Sequence, residues 1–423
     1  MKLHIENIGK LKSADVTLDG ITVIAGQNNT GKSTVGKTLY CIFNSLYNID
    51  EKIERDRKEY IADAVLYSLG IKISSLMYTN KYKQLTILLD NIVNEIKNNH
   101  FDAVGKLLFN ITSLYRDKPE DMLDYDDIID NEIVENVINR VKEAIAISDK
   151  DFYNLIANKV FNSEFSNQII NFNAETGRAI LNIQQKDIII EIGKKSVKSN
   201  SFMKLHSDII YIESPFILDN INYLYSQDIL PYRYDTVYKL AYNNRQNMTS
   251  ELIIQNKLEN IFNLLSDIGI GELYKETTDI GRDIFKYKEE NNDNKIEISN
   301  ISAGIKTFII LKTLILNGQI ADKGCIILDE PEVHLHPEWQ LVFARLIVLL
   351  QKTFNLHILL NTHSPYFLRA IQVYSSKYEI ADRCNYYLAE NNEDGTASIR
   401  DVKGSIEEIY KLLHRPFQDL ENE

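Results

Sequence analysis

The sequence has few cysteines and no long apolar run. Its 3 cysteines among 423 residues are Cys41, Cys325 and Cys384. They lie far apart and no two have the spacing of a metal site, so the sequence favours a reducing cytoplasm. No apolar run is long enough to span a membrane. Residues 1–18 alternate polar and apolar side chains like an edge strand and lack the apolar core of a signal peptide. We therefore expect a cytoplasmic protein without a membrane partner.

Positive charge is scarce relative to negative charge. The 47 Lys and Arg residues stand against 60 Asp and Glu residues, which gives a net charge of −13 at pH 7. A protein that relies on sequence-independent DNA contacts is usually basic, so this balance disfavours that class, although it is compatible with a local basic groove. The 44% hydrophobic and 25% charged residues are typical of a soluble globular protein.

The chain divides by composition into four parts. Residues 1–50 predict strands at 1–8 and 20–25 and a helix at about 32–47. Residues 51–177 are rich in Lys, Glu, Asn, Ile and Leu with helical spacing, and Pro119 is their only proline, so we predict a helical insertion. The acidic run at 120–137 within it is best explained as a solvated helix face; metal binding and DNA mimicry are the alternatives.

The second half of the chain predicts a mixture of helices and strands. In residues 178–300 we expect strands at 179–192 and 208–213, a largely helical stretch at about 216–278, and a hairpin at 283–299 whose turn is "ENNDN". Residues 301–423 alternate helix and strand, which is an α/β pattern.

A phosphate-binding loop occurs near the start of the chain. The stretch "GQNNTGKST", residues 26–34, fits G-x-x-x-x-G-K-[ST] and lies between an apolar strand and an amphipathic helix. Its backbone N–H groups can form a cradle for phosphates, Lys32 supplies a charge for the β- and γ-phosphates, and Ser33 supplies a hydroxyl for Mg²⁺. Gly31 permits backbone conformations that a Cβ would penalise. The predicted ATP-binding residues of the loop are Asn28, Asn29, Thr30, Gly31, Lys32, Ser33 and Thr34.

Two adjacent carboxylates end a second apolar strand, in "CIILDEPEVHLHPEWQ" at 325–340. A phosphate-loop protein needs a carboxylate in the Mg²⁺ shell, and we assign Asp329 to it. Glu330 can then act as general base toward the attacking water. A helix cap is the alternative role for the two carboxylates, and the phosphate loop in the same chain disfavours it.

Two further segments carry candidate site residues. "LLNTHSPYF" (359–367) is an apolar strand that ends in Thr362 and His363, and the histidine can bond a γ-phosphate or the attacking water. In "ISAGIK" (301–306), Ser302 and Gly304 precede an amphipathic helix and predict a second anion site at a helix N-terminus. One nucleotide does not need two such sites from one subunit, but two facing subunits do.

The order of these motifs resembles that of one class of ATPase. The phosphate loop, S-x-G before a helix, "ILDEPE", "LHP" and "THSP" are similar to the Walker A, signature, Walker B, D-loop and H-loop motifs of ABC-type ATPase heads of the SMC, RecF and OLD-like families. "DEPEVHLHPEWQ" with "THSPYFLRAI" looks closest to ATPase subunits of Septu-type antiphage defence systems. The motifs cover residues 1–50 and about 298–370. Ala303 and Ile305 replace the glycine and glutamine of the transporter form.

The resemblance implies an α/β fold, namely an ABC-type P-loop NTPase head with a large helical insertion, whose cofactors are ATP and Mg²⁺. It implies that Ser302 and Gly304 touch the γ-phosphate bound to the opposite protomer. His334 and His336 would then lie at the dimer interface, and a zinc site at these histidines is disfavoured because no further ligand cluster is evident. The Q-loop glutamine is not assigned, Gln184 and Gln185 being only a guess, and "YIESP" (211–215) is a candidate site-lining segment.

The predicted function is that of a cytoplasmic ATPase that forms a homodimer or higher assembly around ATP and regulates a separate effector in phage defence. A nuclease is a plausible effector, and we expect it on a separate polypeptide because only 60 residues follow His363, too few for the nuclease domain of OLD-type relatives. The helix near 405–413 either docks such a partner or covers its own core. The alternatives are a RecF/SMC-like ATPase acting directly on DNA and a non-hydrolysing, ATP-dependent scaffold. The tyrosine-rich stretch 231–246, with Arg233, Lys239 and Arg245, would serve DNA binding or packing.

Overall fold

The computed structural model describes residues 1–71, 80–115, 129–194, 196–200, 203–223, 231–243, 248–278, 283–290 and 294–421. They form two compact units, one of Met1–Tyr47 with Ala157–Glu423 and one of Asn48–Ile156. The second unit ends before residue 177, where the sequence placed the end of the insertion. The reason is that residues 157–177 pack with the first unit, where the Gly9 amide donates to the Ile169 carbonyl at 2.7 Å.

The strands of the described residues all belong to the first unit. In chain order they are β1 (Lys2–Ile8), β2 (Leu11–Thr17), β3 (Ile21–Gly26), β4 (Gly177–Ile183), β5 (Lys186–Gly193), β6 (Ser196–Ser199), β7 (Ile209–Ile212), β8 (Glu272–Thr277), β9 (Asp283–Lys288), β10 (Lys295–Glu297), β11 (Cys325–Asp329), β12 (His357–Thr362), β13 (Cys384–Asn391) and β14 (Ala397–Asp401). They form an 11-stranded sheet in the order β6-β5-β4-β1-β2-β14-β13-β3-β12-β11-β7 and a three-stranded sheet in the order β10-β9-β8.

The centre of the large sheet is parallel. β3 pairs in parallel with β12 and β13, and β11 pairs in parallel with β12 and β7. Every residue of β3 and β11 is buried, as expected for strands covered on both faces, and this explains their continuous apolar runs. Because parallel strands end at the same edge, the segments that follow β3, β11 and β12 meet there.

The helices of the described residues are α1 (Lys32–Leu46), α2 (Ile49–Ser68), α3 (Asn80–Lys97), α4 (Asp102–Tyr115), α5 (Asn131–Ala146), α6 (Asp149–Glu164), α7 (Pro231–Ala241), α8 (Met248–Asp267), α9 (Ala303–Leu316), α10 (Pro337–Phe354), α11 (Pro365–Lys377) and α12 (Glu407–Glu421). Short 3₁₀ turns occur at Pro215–Tyr223, Ile298–Asn300 and Ala381–Arg383. None of the helices in this described part of the chain is long and apolar enough to cross a membrane.

Each unit has its own apolar core. In the first unit, the buried rings of Phe308, Phe343 and Phe367 join α9, α10 and α11; the Phe308 and Phe343 centroids lie 5.2 Å apart, edge to face. Truncation of one such ring to alanine typically costs about 3–5 kcal/mol of stability. In the second unit, α2 to α5 bury a cluster that includes Ile92, Leu108 and Val141, each at 0% exposure.

Most predicted elements are present, but some predictions were wrong. The helix at 32–47 is confirmed as α1, and the hairpin at 283–299 as β9 and β10, which pair antiparallel. β1 is not an edge strand, because it pairs with both β2 and β4. An alternating polar and apolar pattern shows that one face of a strand is covered, but it does not show how many strands pair with it. β8 lies within the stretch predicted to be helical, since its exposed, polar sequence is held as a strand by β9.

Two predictions depend on residues outside the described part of the chain. Of the acidic run at 120–137, residues 120–128 are outside it, and the described remainder leads into α5, which Asp130 caps by accepting from the Ile133 amide at 2.7 Å. In the tyrosine-rich stretch, the side chains of Arg233 and Arg245 are also outside it. Lys239 there is 5% exposed and donates to the Ile209 carbonyl at 2.9 Å, which supports the packing alternative for this cation.

Candidate active site

The phosphate loop connects β3 to α1 through left-handed backbone conformations. Gly31 has φ +79°, and a Cβ at this position would lie 2.7 Å from the Cδ2 atom of Leu11. A glycine is therefore required for both conformation and space. Asn29 has φ +59°, a conformation that asparagine tolerates better than most residues. The first turn of α1 contains no acidic residue, so the positive end of the helix dipole is free to attract phosphate.

Lys32 is only 4% exposed and is held at the base of this loop. Its Nζ atom donates to the carbonyls of Gly26 at 3.0 Å and Gln27 at 2.8 Å. The same atom lies 3.4 Å from Oε1 of Glu330. The ammonium group is thus placed between the loop backbone and the second carboxylate of the strand end.

Asp329 is buried at the end of β11 among hydrogen-bond donors. Its Oδ1 accepts from Nδ2 of Asn361 at 2.8 Å, its Oδ2 accepts from the hydroxyl of Tyr211 at 3.3 Å, and the hydroxyl of Ser33 also bonds it. Burial raises the pKa of Asp329, which means that the carboxylate is desolvated and that a bound cation would stabilise its charged form. The oxygen donors of Ser33 and Asp329 fit a hard cation such as Mg²⁺.

Glu330 has a strained backbone and two cationic neighbours. Its φ is +47°, an uncommon conformation for a residue with a Cβ, and it is fixed by the hydrogen bond from its amide to the Asn361 carbonyl at 3.0 Å. Its Oε1 lies 3.4 Å from Nδ1 of His363. His363, and then Lys32, lowers the pKa of Glu330, and Glu330 in turn raises the pKa of His363. The side chain is therefore kept ionised.

Lys32, Ser33, Asp329 and Glu330 line one open pocket of about 550 Å³, whereas His363 is not a lining residue and adjoins the pocket through its contact with Glu330. It is lined by Lys10, Asn28, Asn29, Thr30, Gly31, Lys32, Ser33, Thr34, Glu213, Ser214, Pro215, Asp329, Glu330, Val333 and His334. All seven residues predicted in the loop line it, as do both carboxylates. Sequence reasoning missed Lys10, whose position in the turn after β1 gives no motif signal. It had indicated the segment 211–215, of which Glu213, Ser214 and Pro215 are lining residues.

Ser302 and Gly304 are not among the residues that line this pocket. Ser302 caps α9 by accepting from the Ile305 amide at 3.4 Å. Gly304 packs against the segment 333–336, because a Cβ on it would lie 3.1 Å from the His334 carbonyl oxygen. Ser302 and Gly304 therefore lie beside the segment 333–336 and outside the lining of this pocket.

The two histidines of that segment have separate surroundings. The His334 ring packs edge-on against Phe216, with centroids 5.2 Å apart, and His336 caps α10 with its side chain 70% exposed. Within the described ranges, no group of three His, Cys, Asp or Glu side chains is placed to hold a metal ion, so nothing there supports zinc binding by these histidines. Gln184 and Gln185 form the turn between β4 and β5 and do not line the pocket.

Comparison with curated proteins finds partial relatives, among them two that are named as probable ATPases of retrons. One is the "Retron Vc95 probable ATPase" of Vibrio cholerae serotype O1 biovar El Tor, 31% identical over 161 residues, which are 35% of this chain and 29% of the relative. The other is the "Retron Ec83 probable ATPase" of Escherichia coli, 27% identical over 146 residues, which are 31% of this chain and 24% of the relative. The alignments therefore span less than a third of either relative.

Comparison with solved structures finds an SMC head bound to the C-winged helix domain of ScpA. The TM-score is 0.40 at 13% identity, over 95% of this chain and 96% of that chain. Comparison with protein families matches residues 1–368 to the family described as AAA ATPase domain. This match covers well over half of the 423 residues. The chain therefore belongs to the AAA ATPase domain family.

Proposed function

We propose that this chain binds and hydrolyses ATP, dimerises around ATP, and thereby regulates a separate effector in antiphage defence. The convergence of Lys32, Glu330 and His363 at the edge of one pocket carries the catalytic part of the proposal. Three segments far apart in the sequence place a cation, a carboxylate and an imidazole within 3.4 Å contacts there. A lysine for the phosphates and a carboxylate that can activate or position water are groups that phosphoryl transfer uses.

The proposed chemistry follows from the charges of these groups. Lys32 and the loop amides bind the phosphates, and Ser33 and Asp329 would hold Mg²⁺, which would neutralise the charge that develops on the phosphates. Glu330 is ionised and can accept a proton from the attacking water, while the bond between the terminal phosphorus and its bridging oxygen breaks and ADP leaves. His363 orients Glu330 and bonds a phosphate oxygen or the water.

The open pocket supports the two-subunit part of the proposal. Val333 lines the pocket and is 49% exposed, so an apolar side chain borders the nucleotide site and faces solvent in the single chain. Ser302 and Gly304, the chain's second anion-binding candidates, lie outside this pocket. A second copy that faces the first could place its own Ser302 and Gly304 over the bound nucleotide and cover Val333.

The defence part of the proposal rests on the motifs, and the relatives support its ATPase part. The two relatives described above are named as probable ATPases of retrons, which supports an ATPase role for this chain. The aligned parts contain 161 and 146 residues, so the proposal takes from these relatives the ATPase role alone. We propose a nuclease as the effector, encoded as a separate polypeptide.

Enzyme concentration is the variable that tests the proposal. The ATP hydrolysis rate per chain should rise with protein concentration and level off where light scattering shows a dimer in the presence of ATP. A rate per chain that is constant across the monomer-to-dimer range would contradict the composite site, and an absence of hydrolysis would contradict the activity.

Co-expression with the neighbouring genes, followed by purification, should yield a complex with nuclease activity; an ATPase that purifies alone under all nucleotide conditions would contradict the effector.

A further inference from the structure

Glu332 is a buried carboxylate to which the proposed chemistry assigns no role. It is 1% exposed and lies two residues after Glu330. Its Oε1 accepts hydrogen bonds from the hydroxyl of Thr362 and from the backbone amide of His363, the latter at 3.0 Å. Its Oε2 is buried and has no hydrogen-bond partner among the described residues. Carboxylates are rarely buried to this extent unless they are paired, so this position requires an explanation.

Both donors to Glu332 come from the point where the chain leaves β12. Thr362 is the last residue of β12, and His363 is the next residue, whose ring contacts Glu330 at 3.4 Å. The carboxylate therefore fixes the backbone from which the imidazole projects. It acts on the orientation of His363 without touching the ring.

A second set of hydrogen bonds already joins the same two segments. Oγ of Ser364 donates to Oε1 of Gln340 at 2.6 Å, and Nε2 of Gln340 donates to the Leu335 carbonyl at 3.1 Å. A neutral amide is thus sufficient to hold the segments together. Glu332 differs from Gln340 in that it accepts directly from the Thr362 hydroxyl and the His363 amide. Burial raises the pKa of Glu332, and Glu330 first and then Glu332 raise the pKa of His363.

We propose that Glu332 is a positioning residue for hydrolysis, which aims the His363 ring at Glu330 by holding the His363 amide and the Thr362 hydroxyl. This inference rests on the proposed ATPase function.

Substitution at Glu332 tests the proposal through turnover. Glu332→Ala should lower kcat by about 10- to 100-fold, the loss expected from a misoriented catalytic group, and leave the KM for ATP unchanged, since no lining residue is altered. Glu332→Gln keeps an acceptor oxygen for both donors and should recover most of kcat. In a His363→Ala background, Glu332→Ala should give no further loss, because the residue acts through the histidine. Full kcat in Glu332→Ala, or an equal loss in both backgrounds, would overturn the proposal.

Further variants and an NMR titration distinguish the positioning role from a folding defect and from a failure of the proposed ATPase function. Thr362→Val keeps the side-chain shape and removes one donor to Glu332, together with the acceptor of the Ser364 amide, and should give a smaller loss of kcat. Gln351→Leu, at a side chain of α10 that is 0% exposed, is the matched control for loss of a buried polar group and should keep wild-type kcat. NMR of the His363 ring in nucleotide-free protein needs no hydrolysis. Its pKa should fall in Glu332→Ala and not in Gln351→Leu; an unchanged His363 titration would contradict the positioning role even if ATP hydrolysis is confirmed.

Discussion

Nδ1 of His363 lies 3.4 Å from Oε1 of Glu330, with the two side chains 40% and 30% exposed. Each group stabilises the charged form of the other, so the pKa of Glu330 lies below its ordinary value of 4.5 and the pKa of His363 lies above 6.5. Nζ of Lys32 is also 3.4 Å from the same carboxylate oxygen. In the free protein, the candidate general base is therefore an ion-paired carboxylate.

The first prediction concerns the pH dependence of stability. Because the pKa of Glu330 is lowered in the folded protein, this group stabilises the fold above pH 4.5, and the contribution is lost as the pH falls through the folded pKa. Because the pKa of His363 is raised, this group stabilises the fold below pH 6.5, and the contribution is lost as the pH rises through the folded pKa. The pair should thus contribute most to the free energy of unfolding between pH 4.5 and pH 6.5. The contribution should reach at most about 1 kcal/mol, because both groups are partly exposed. Urea unfolding should show His363→Gln to be less stable than wild type at about pH 5.5 and equal to it at about pH 9. Equal stability at both pH values would contradict the pair.

The second prediction concerns nucleotide binding. Lys32→Ala should abolish detectable binding of ATP, with a loss of affinity above about 100-fold, because it removes a buried cation that the loop carbonyls hold at the pocket. A fluorescent ATP analogue measures the affinity. Lys37→Ala, on the same helix but outside the pocket lining, is the control and should bind normally. Unchanged affinity in Lys32→Ala would defeat the assignment of the phosphate loop.

The third prediction separates binding from hydrolysis. Glu330→Gln keeps the shape of the side chain and removes its basicity, while Lys32, Ser33 and Asp329 remain to hold the nucleotide. Binding should survive and kcat should fall by about 100-fold or more, as expected for loss of a general base. ATP-bound dimers should then accumulate and be visible by light scattering. The control is Glu338→Gln, the same change at a side chain that is 85% exposed; a comparable loss of kcat there would show that net charge, and not the base, is responsible.

The predictable parts of the candidate site are those in which the residues next to each candidate along the sequence determine its position. The phosphate loop needs only a strand before it and a helix after it, and both are visible as hydrophobic patterns beside Gly31 and Lys32. Asp329 and His363 were proposed as site residues in the same way, because each lies at the end of an apolar strand. Their meeting at one edge follows from the parallel order of β3, β12 and β11.

The supporting contacts could not be predicted, because they join distant parts of the chain. The hydroxyl of Tyr211 reaches Asp329 across 118 residues, and the Nδ2 atom of Asn361 reaches it across 32. Both contacts depend on strand order and register, which local patterns do not determine. Glu332 could be read as part of an acidic strand end, but its burial and its bond to the His363 amide appear only once β11 and β12 are paired. The two neighbours of β1 were missed for the same reason.

The last prediction tests whether the catalytic site is shared between two chains. Ser302 caps α9, and its side chain does not line the pocket of its own chain. Ser302→Arg should therefore bind ATP normally through its own phosphate loop. It should hydrolyse ATP poorly, because a bulky cation at the start of α9 blocks approach to the nucleotide held by the partner. Ser302→Ala, which removes the hydroxyl without adding bulk, should be less impaired.

Mixing two inactive variants makes this test sharper. In a mixed dimer of Ser302→Arg and Lys32→Ala, one composite site combines the intact phosphate loop of the first chain with the intact Ser302 of the second, and the other site loses both. If subunits exchange and one site turns over alone, activity should return on mixing, toward half of the wild-type rate per dimer in those dimers that are mixed. The activity should follow the fraction of mixed dimers as the ratio of the two chains is varied. Full activity of Ser302→Arg by itself, at concentrations too low for association, would mean that each chain is a self-sufficient ATPase and that the head-to-head arrangement is wrong.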